Sequence, residues 1–114
     1  MKKDDQYRLA RIVETGRQLL AVLDYDGITP EQLVHDFRLQ WLVTTPLYNI
    51  GEQVYALSRT FKDAHPDIEW AGISGMRHHL VHDYEGTNWT LISRVIFEEL
   101  EPFICQVENL INKD

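Results

Sequence analysis

The sequence lacks several features that define particular classes of protein. Its 114 residues include a single cysteine, Cys105, which excludes an internal disulfide framework or a zinc ribbon and fits a reducing cytoplasm. No apolar run approaches the roughly 20 residues that a membrane-spanning helix requires, and the first residues lack the apolar segment of a signal peptide. We therefore expect a cytoplasmic protein that contacts no membrane.

Positive charge is also scarce, because 11 Lys and Arg side chains stand against 18 Asp and Glu, a formal net charge of −7. This balance argues against a protein that binds nucleic acid through its overall charge. The excess is uneven, since residues 95–114 carry five acids and one base, whereas residues 1–17 carry five bases and three acids. A small, locally positive site is therefore compatible with the acidic total.

Apolar residues recur at helical spacing over most of the chain, and alternating, strand-like runs are scarce. Thr29, Pro30 and Gln32 form a helix-start signature, with a capping threonine, a proline at the first position and a glutamine at the third. We predict one all-α domain over residues 1–114, an antiparallel bundle of four to five helices. The first predicted helix runs from Asp4 or Asp5 to Leu23, and the second from Pro30 to about Phe61 with a kink near Pro46. The third runs from Ile68 or Glu69 to His82. The fourth begins at a cap at Thr87 or Asn88 and is kinked at Pro102.

The second predicted helix has two bulky faces. One is a packed seam with alternating steps of four and three residues: Val43, Leu47, Ile50, Val54, Leu57 and Phe61. The other repeats every seven residues: Val34, Trp41, Tyr48 and Tyr55. A helix with two such faces is usually buried twice, so the second face indicates either an oligomer or large neighbours within the same chain.

The densest group of polar side chains lies in residues 75–84, where three of the five histidines fall within five residues. Arg77 and His82 are five positions apart, about 140° around a helix, so only fraying or a second subunit would bring both to one phosphate. Arg supplies a permanent charge whose planar fork matches phosphate oxygens, and His moves protons near neutral pH. Together they suffice for RNA cleavage without a metal ion, although so short a motif is by itself more often a pair of surface residues.

A metal site is the alternative for the same segment. His78 and His82 are four residues apart, as are His79 and Asp83, and either spacing can bind a transition metal. No HExxH glutamate or nearby cysteine accompanies them, and Arg77 would place a positive charge beside the ion. We therefore expect neither a metal nor another cofactor.

Several ordered segments resemble the HepT-like branch of the HEPN superfamily. Residues 49–58, NIGEQVYALS, resemble its IGEAAxxLS segment, and residues 65–70 with 75–77 are similar to its HPxIPWxxIxGMR segment. Arg77, His82 and Tyr84 match its R-x-x-x-x-H-x-Y signature. The likeness runs from about residue 5 to residue 111 and is strongest between residues 50 and 84.

The resemblance implies an all-α homodimer that acts as a metal-independent endoribonuclease toxin on an RNA such as a tRNA or an mRNA. The partner it implies is an antitoxin, a minimal nucleotidyltransferase of the MntA type. Carried over by position, Arg77 and His82 would be catalytic in a cleft formed with the second subunit, and Tyr84 would accept AMP. Negative phosphates two residues from His82 would block such a cleft and repel RNA.

The chain departs from the family pattern directly after Arg77, where His78 replaces the usual Asn or Asp. His78 is therefore an auxiliary candidate for phosphate contact. Glu52 is a second auxiliary candidate, either a surface acid or the partner that holds Arg77. The departure and the acidic surface leave a second hypothesis open: a non-catalytic helical subunit that docks to a nucleotidyltransferase and presents its substrate.

Four further expectations concern packing. Gly51 and Gly75 lie inside predicted helices, where glycine is unfavourable, so we expect close helix approach at both. Trp70 is predicted to be a core anchor. Cys105 lies among apolar neighbours and is predicted to be a buried thiol.

Overall fold

In the computed structural model, the described residues are 1–82 and 86–113, with residues 81 and 82 described by their backbone alone. Over these residues every regular element is helical, which confirms the predicted all-α bundle. The elements are α1 (Lys3–Tyr25), α2 (Pro30–His35), α3 (Phe37–Ala56), α4 (Arg59–Asp63), α5 (Trp70–Ser74), α6 (Met76–His82), α7 (Trp89–Arg94), a π-helical segment (Val95–Glu99) and α8 (Leu100–Asn112).

The long helix α1 lies at the centre of the packing, against both α3 and α8. The seam predicted from the sequence runs along α3 and continues through Leu57 to Phe61 on α4. It faces this core, and every seam residue is buried except Phe61, which is half-buried. Each fully buried aliphatic side chain contributes roughly 1.5–3 kcal/mol to folding. Fully buried members of the core include Leu9, Ile12, Leu33, Val43, Leu47, Ile50, Val54, Ile92, Ile96, Leu100, Ile104 and Val107.

The single helix predicted from Pro30 to about Phe61 is wrong in extent, because it is divided into α2, α3 and α4. The first break is at Asp36, whose backbone is extended (φ −118°, ψ 110°) and whose carboxylate accepts a hydrogen bond from the Arg38 amide at 2.9 Å. The first amides of a helix have no carbonyl of a preceding turn to donate to. A side chain that accepts from one of them, as Asp36 does, therefore marks the start of a new helix. The second of these helices, α3, continues through Pro46.

The second break, between α3 and α4, is fixed by a residue of α1. Ser58 caps α4, and the buried carboxylate of Asp5 on α1 accepts from the Ser58 amide at 2.9 Å and from its hydroxyl at 2.7 Å. Both hydrogen bonds join residues 53 positions apart. The turn between α3 and α4 is therefore attached to the start of α1.

Two other predicted helices are also divided. The third is interrupted at Gly75, between α5 and α6. The fourth begins after Asn88, as predicted, with the Asn88 side chain accepting from the Leu91 amide at 3.0 Å. It then widens into the π-helical segment, which ends three residues before Pro102. The Pro102 nitrogen carries no hydrogen to donate to the carbonyl of Glu98, four residues earlier and within that segment.

Two packing expectations have opposite outcomes. Trp70 is buried as predicted, and its indole nitrogen donates to the His65 carbonyl at 3.0 Å. The prediction of a buried thiol is wrong, because Cys105 is exposed on α8, 3.5 Å from Nη2 of Arg17. Along the described stretches, the molecule has no helix with the length and apolar character needed to span a bilayer.

Candidate active site

The site begins where α6 crosses α3 at Gly51. A Cβ atom added to Gly51 would lie 3.2 Å from the Cβ of Arg77 and 3.3 Å from the Arg77 amide nitrogen. These distances are tighter than ordinary carbon contacts, so a side chain at position 51 would push α6 away. The close approach expected at Gly51 is confirmed, and it places Arg77 directly on the surface of α3.

The Arg77 guanidinium rests on the ring of Tyr55. Its central carbon lies 3.8 Å from the ring centroid, well inside the range of a cation–π contact. The Tyr55 side chain is otherwise open, since the residue is 60% exposed. The arginine side chain is less exposed, at 30%, so the ring and its neighbours hold the charge at the edge of the protein.

Glu52 lies on the same surface and faces the same guanidinium. Its Oε1 is 3.7 Å from Nη1 of Arg77, close enough for an ion pair but too long for a hydrogen bond. Glu52 therefore combines the two features considered for it, an exposed carboxylate and an ion pair with Arg77. Because the Glu52 side chain is 42% exposed, the pair contributes little to stability, and its effect is on where the arginine lies.

Tyr48 completes the group from one turn earlier on α3. A hydrogen bond from its hydroxyl to Glu52, together with the negative charge of that carboxylate and some desolvation, raises the pKa of Tyr48, while the Arg77 charge opposes the shift. Tyr48, Glu52 and Tyr55 follow one another at steps of four and three residues, the spacing of one helix face. We call these three residues and Arg77 the Arg77 cradle.

The arginine keeps one donor unused within this cradle. Among the described residues, no acceptor reaches Nε of Arg77, although that atom is buried. A buried donor without a partner costs about 1–3 kcal/mol, and buried unsatisfied groups are rare enough to need an explanation. Because Nε itself is closed to solvent, a ligand such as a phosphate would meet the exposed part of the arginine side chain, which is 30% exposed.

The other predicted site residues have different outcomes. Histidine 82 ends α6, with only its backbone described, and Tyr84 lies outside the described residues. His78 is exposed, and its ring centroid is 6.2 Å from that of His79. Within the described part of the chain, no cluster of three metal-binding side chains is present.

Tyr55 is the residue that sequence reasoning missed. Its seven-residue spacing from Tyr48 assigned it to a second bulky face, expected to be covered by an oligomer partner or by neighbours in the same chain. Within the chain nothing covers Trp41 (71% exposed) or Tyr55 (60% exposed), so for these two residues the second explanation is wrong. The signal that was available is the position of Tyr55 three residues after Glu52, on the same side of the helix. The contact with Arg77, 22 positions further along the chain, depends on the crossing of α6 and α3.

Comparisons with known proteins give a consistent result. A family model described as Ribonuclease HepT-like matches residues 8–110. The curated protein "Putative RNase TTE0752" of Caldanaerobacter subterraneus subsp. tengcongensis is 34% identical over 88 residues, which cover 77% of this chain and 79% of that protein. "Putative RNase MJ0127" of Methanocaldococcus jannaschii is 28% identical over 111 residues, covering 96% and 89%. "Probable ribonuclease HepT" of Thermococcus cleftensis is 29% identical over 80 residues, covering 70% and 73%. No solved structure matches the chain significantly.

Proposed function

Because the chain belongs to the ribonuclease HepT-like family, we propose that it is an endoribonuclease that cleaves RNA without a metal ion and acts as the toxin of a toxin–antitoxin system. The observation that carries this proposal is the Arg77 cradle, which holds a permanently charged and partly exposed guanidinium at the protein edge against the Tyr55 ring. The enzyme acts in the cytoplasm as one domain over residues 1–114.

The proposed reaction uses the 2′-hydroxyl of the RNA as its own nucleophile. His82 performs one of the two proton transfers, taking the proton from this hydroxyl or giving one to the leaving 5′-oxygen, and water performs the other. Arg77 stabilises the charge on the phosphorane. The 2′-oxygen forms a bond to phosphorus as the bond to the 5′-oxygen breaks, which leaves a 2′,3′-cyclic phosphate and a free 5′-hydroxyl. His78, next to the arginine, adds a hydrogen bond or positive charge to the same phosphate.

Cleavage of a single-stranded RNA in excess EDTA tests this mechanism. We expect the purified, unmodified protein to cut, and Arg77→Ala and His82→Ala to lose at least about a hundredfold in rate. Arg94→Ala and His35→Ala remove exposed side chains of the same types and serve as controls. Equal cleavage by the wild type and His82→Ala would refute the assigned role of His82.

The same proposal includes control by a partner enzyme. We propose that an MntA-type minimal nucleotidyltransferase, the antitoxin, transfers AMP from ATP to the Tyr84 hydroxyl, releasing pyrophosphate. Mass spectrometry after co-expression should show increments of AMP on the peptide that contains Tyr84 and none in Tyr84→Phe. Tyr25, which is 91% exposed, is an internal control, because indiscriminate transfer would modify it as well.

A homodimer is the third part of the proposal, and the exposed face of α3 supports it. Phe37 and Trp41 stack edge to face with centroids 4.9 Å apart, and with Leu42 they form an apolar surface open to solvent. Light scattering should give about 27 kDa, twice the chain mass of 13.4 kDa. Trp41→Asp should yield the monomer, whereas Tyr25→Asp, at a site of greater exposure, should leave the dimer intact.

A second candidate is a non-catalytic subunit that docks to a nucleotidyltransferase, favoured by the net charge of −7 and by the histidine after Arg77. Induced expression in a bacterial host separates the two functions. If the protein is a ribonuclease toxin, its expression arrests growth and Arg77→Ala abolishes the arrest. If it is only a docking subunit, expression is harmless with either arginine or alanine at position 77.

A further inference from the structure

Tyr55 holds the arginine by a contact that uses none of its hydrogen-bond donors. A guanidinium carries five N–H groups in one plane, and a carboxylate in bidentate contact would occupy two of them. A contact with the face of an aromatic ring instead occupies none of these N–H groups. The guanidinium carbon of Arg77 lies over the Tyr55 ring, 3.8 Å from its centroid, a contact made with the ring face and not with a hydrogen-bond acceptor.

The acidic neighbour is kept from a tight pairing with the same group. The shortest nitrogen–oxygen contact between Glu52 and Arg77 is 3.7 Å, beyond hydrogen-bond length, and the carboxylate also interacts with Tyr48, whose pKa it raises. A closer carboxylate would neutralise the arginine and compete with a phosphate for its fork. The aromatic ring, which is uncharged, fixes the side chain without either effect.

We infer that Tyr55 is a positioning residue, whose ring orients Arg77 toward the scissile phosphate without occupying any of its hydrogen-bond donors. This inference rests on the proposed ribonuclease function and adds to it a residue on α3, outside the R-x-x-x-x-H-x-Y signature. The ring performs this task and the hydroxyl does not, because the guanidinium lies over the face of the ring. Tyr55 acts through Arg77 and does not itself exchange a proton with the RNA.

Steady-state cleavage of a labelled, mixed-sequence single-stranded RNA tests the role through the split between kcat and KM. Tyr55→Phe keeps the ring and should retain kcat within about twofold, whereas Tyr55→Leu should lower kcat about 3- to 30-fold with KM little changed. Tyr25→Leu, an exposed tyrosine at the end of α1, is the matched control and should behave as the wild type. Unchanged kcat in Tyr55→Leu would overturn the inference. A rise in KM alone would also overturn it, because that result indicates that the Tyr55 ring stacks on an RNA base instead of orienting Arg77.

A second measurement does not depend on activity. In NMR spectra, the side-chain protons of Arg77 should be shifted upfield by the Tyr55 ring current in the wild type and in Tyr55→Phe, and should return to ordinary values in Tyr55→Leu. Absence of the shift in the wild type would overturn the inference. A wild type that shows the shift and the proposed dimer mass, yet cuts no RNA, would refute the proposed function instead. Thermal unfolding and elution volume, matched to the wild type, should confirm that Tyr55→Leu folds and associates normally.

Discussion

Gly51 and Arg77 lie against one another so closely that the missing side chain of one sets the position of the other. The Cβ of Arg77 and its amide nitrogen occupy the space next to the glycine Cα, at 3.2 and 3.3 Å from where a Cβ would be. This contact joins α3 to α6, the helix that carries the first residue of the R-x-x-x-x-H-x-Y signature. Any displacement of α6 at this point moves the guanidinium relative to Tyr55 and Glu52.

Gly51→Ala should therefore separate stability from activity. Alanine gains about 1 kcal/mol of helix propensity over glycine, which offsets the crowding, so the free energy of unfolding should change by less than about 1 kcal/mol. The displaced Arg77 should lower kcat by about tenfold or more, because small misplacements of reacting groups are costly. Gly72→Ala is the control, since a Cβ there meets no atom of the described structure within 4 Å. Equal kcat in both variants would contradict the role of the contact.

The attachment of Ser58 to α1 predicts a stability effect at the other end of the bundle. Asp5→Ala leaves the Ser58 amide and hydroxyl without their acceptor, which should lower the free energy of unfolding by about 2–3 kcal/mol in urea. Asp5→Asn keeps one acceptor oxygen and should lose less. Asp4→Ala, an exposed acid in the same helical turn, should change stability by less than about 1 kcal/mol. A loss as large in Asp4→Ala would show that the helix terminus, not the hydrogen bonds, is responsible.

The hydrogen bond between Tyr48 and Glu52 predicts an alkaline titration. Because Glu52 accepts from the hydroxyl and carries negative charge, the pKa of Tyr48 lies above its ordinary value of 10.0. The hydrogen bond thus contributes stability below the ordinary pKa, and this contribution is lost as the pH rises through the raised one. The phenolate absorbance difference between the wild type and Tyr48→Phe isolates this group. Glu52→Gln should move its pKa back toward 10.0, and no movement would exclude the hydrogen bond.

The pairing of Arg17 with Glu108 predicts an acid-dependent loss of stability. Arg17 donates from Nε and Nη2 to the two oxygens of Glu108, at 3.1 and 2.6 Å, and these hydrogen bonds hold the pKa of Glu108 below its ordinary 4.5. The folded state then binds fewer protons than the unfolded state, so the pair stabilises the fold above pH 4.5 and ceases to do so as the pH falls through the lowered pKa. Tm measured against pH should fall less steeply in Glu108→Gln than in the wild type. Glu14→Gln, which removes an exposed partner of Arg11, should keep the wild-type profile.

The parts of the fold that the sequence predicted are those set by local chemistry. The capping box at Thr29 forms as expected. The backbone amide of Gln32 donates to the Thr29 hydroxyl at 3.2 Å, and the side-chain oxygen of Gln32 accepts from the backbone amide of Thr29 at 3.0 Å. The seam of α3 is buried because a helix repeats every 3.6 residues whatever it packs against. Asp36 also offers a local signal for the break between α2 and α3, since an aspartate side chain can cap a new helix by accepting from the backbone amide two residues later, here that of Arg38.

The parts that the sequence could not predict depend on contacts between distant segments. Asp5 fixes the end of α3 from 53 positions away, and no local pattern announces such a partner. Cys105 is a different case, because it lies beside Arg17 on the solvent side of α8, off the face formed by the buried Leu100, Phe103, Ile104 and Val107. The spacing of those four residues already indicated that face. At the site, Glu52 was available as a candidate from its motif, whereas Tyr55 became visible only once α6 was placed across α3.

The distribution of the three tryptophans gives the molecule its own set of optical reporters. Trp41 stands on the open face of α3, Trp70 is buried against Phe103, and Trp89 is half-buried at the start of α7, just after the signature segment. Their fluorescence therefore responds to three different events: association, loss of the core, and changes near the signature. Single-tryptophan variants, with phenylalanine at the other two positions, would let each event be followed in the same protein without an attached dye.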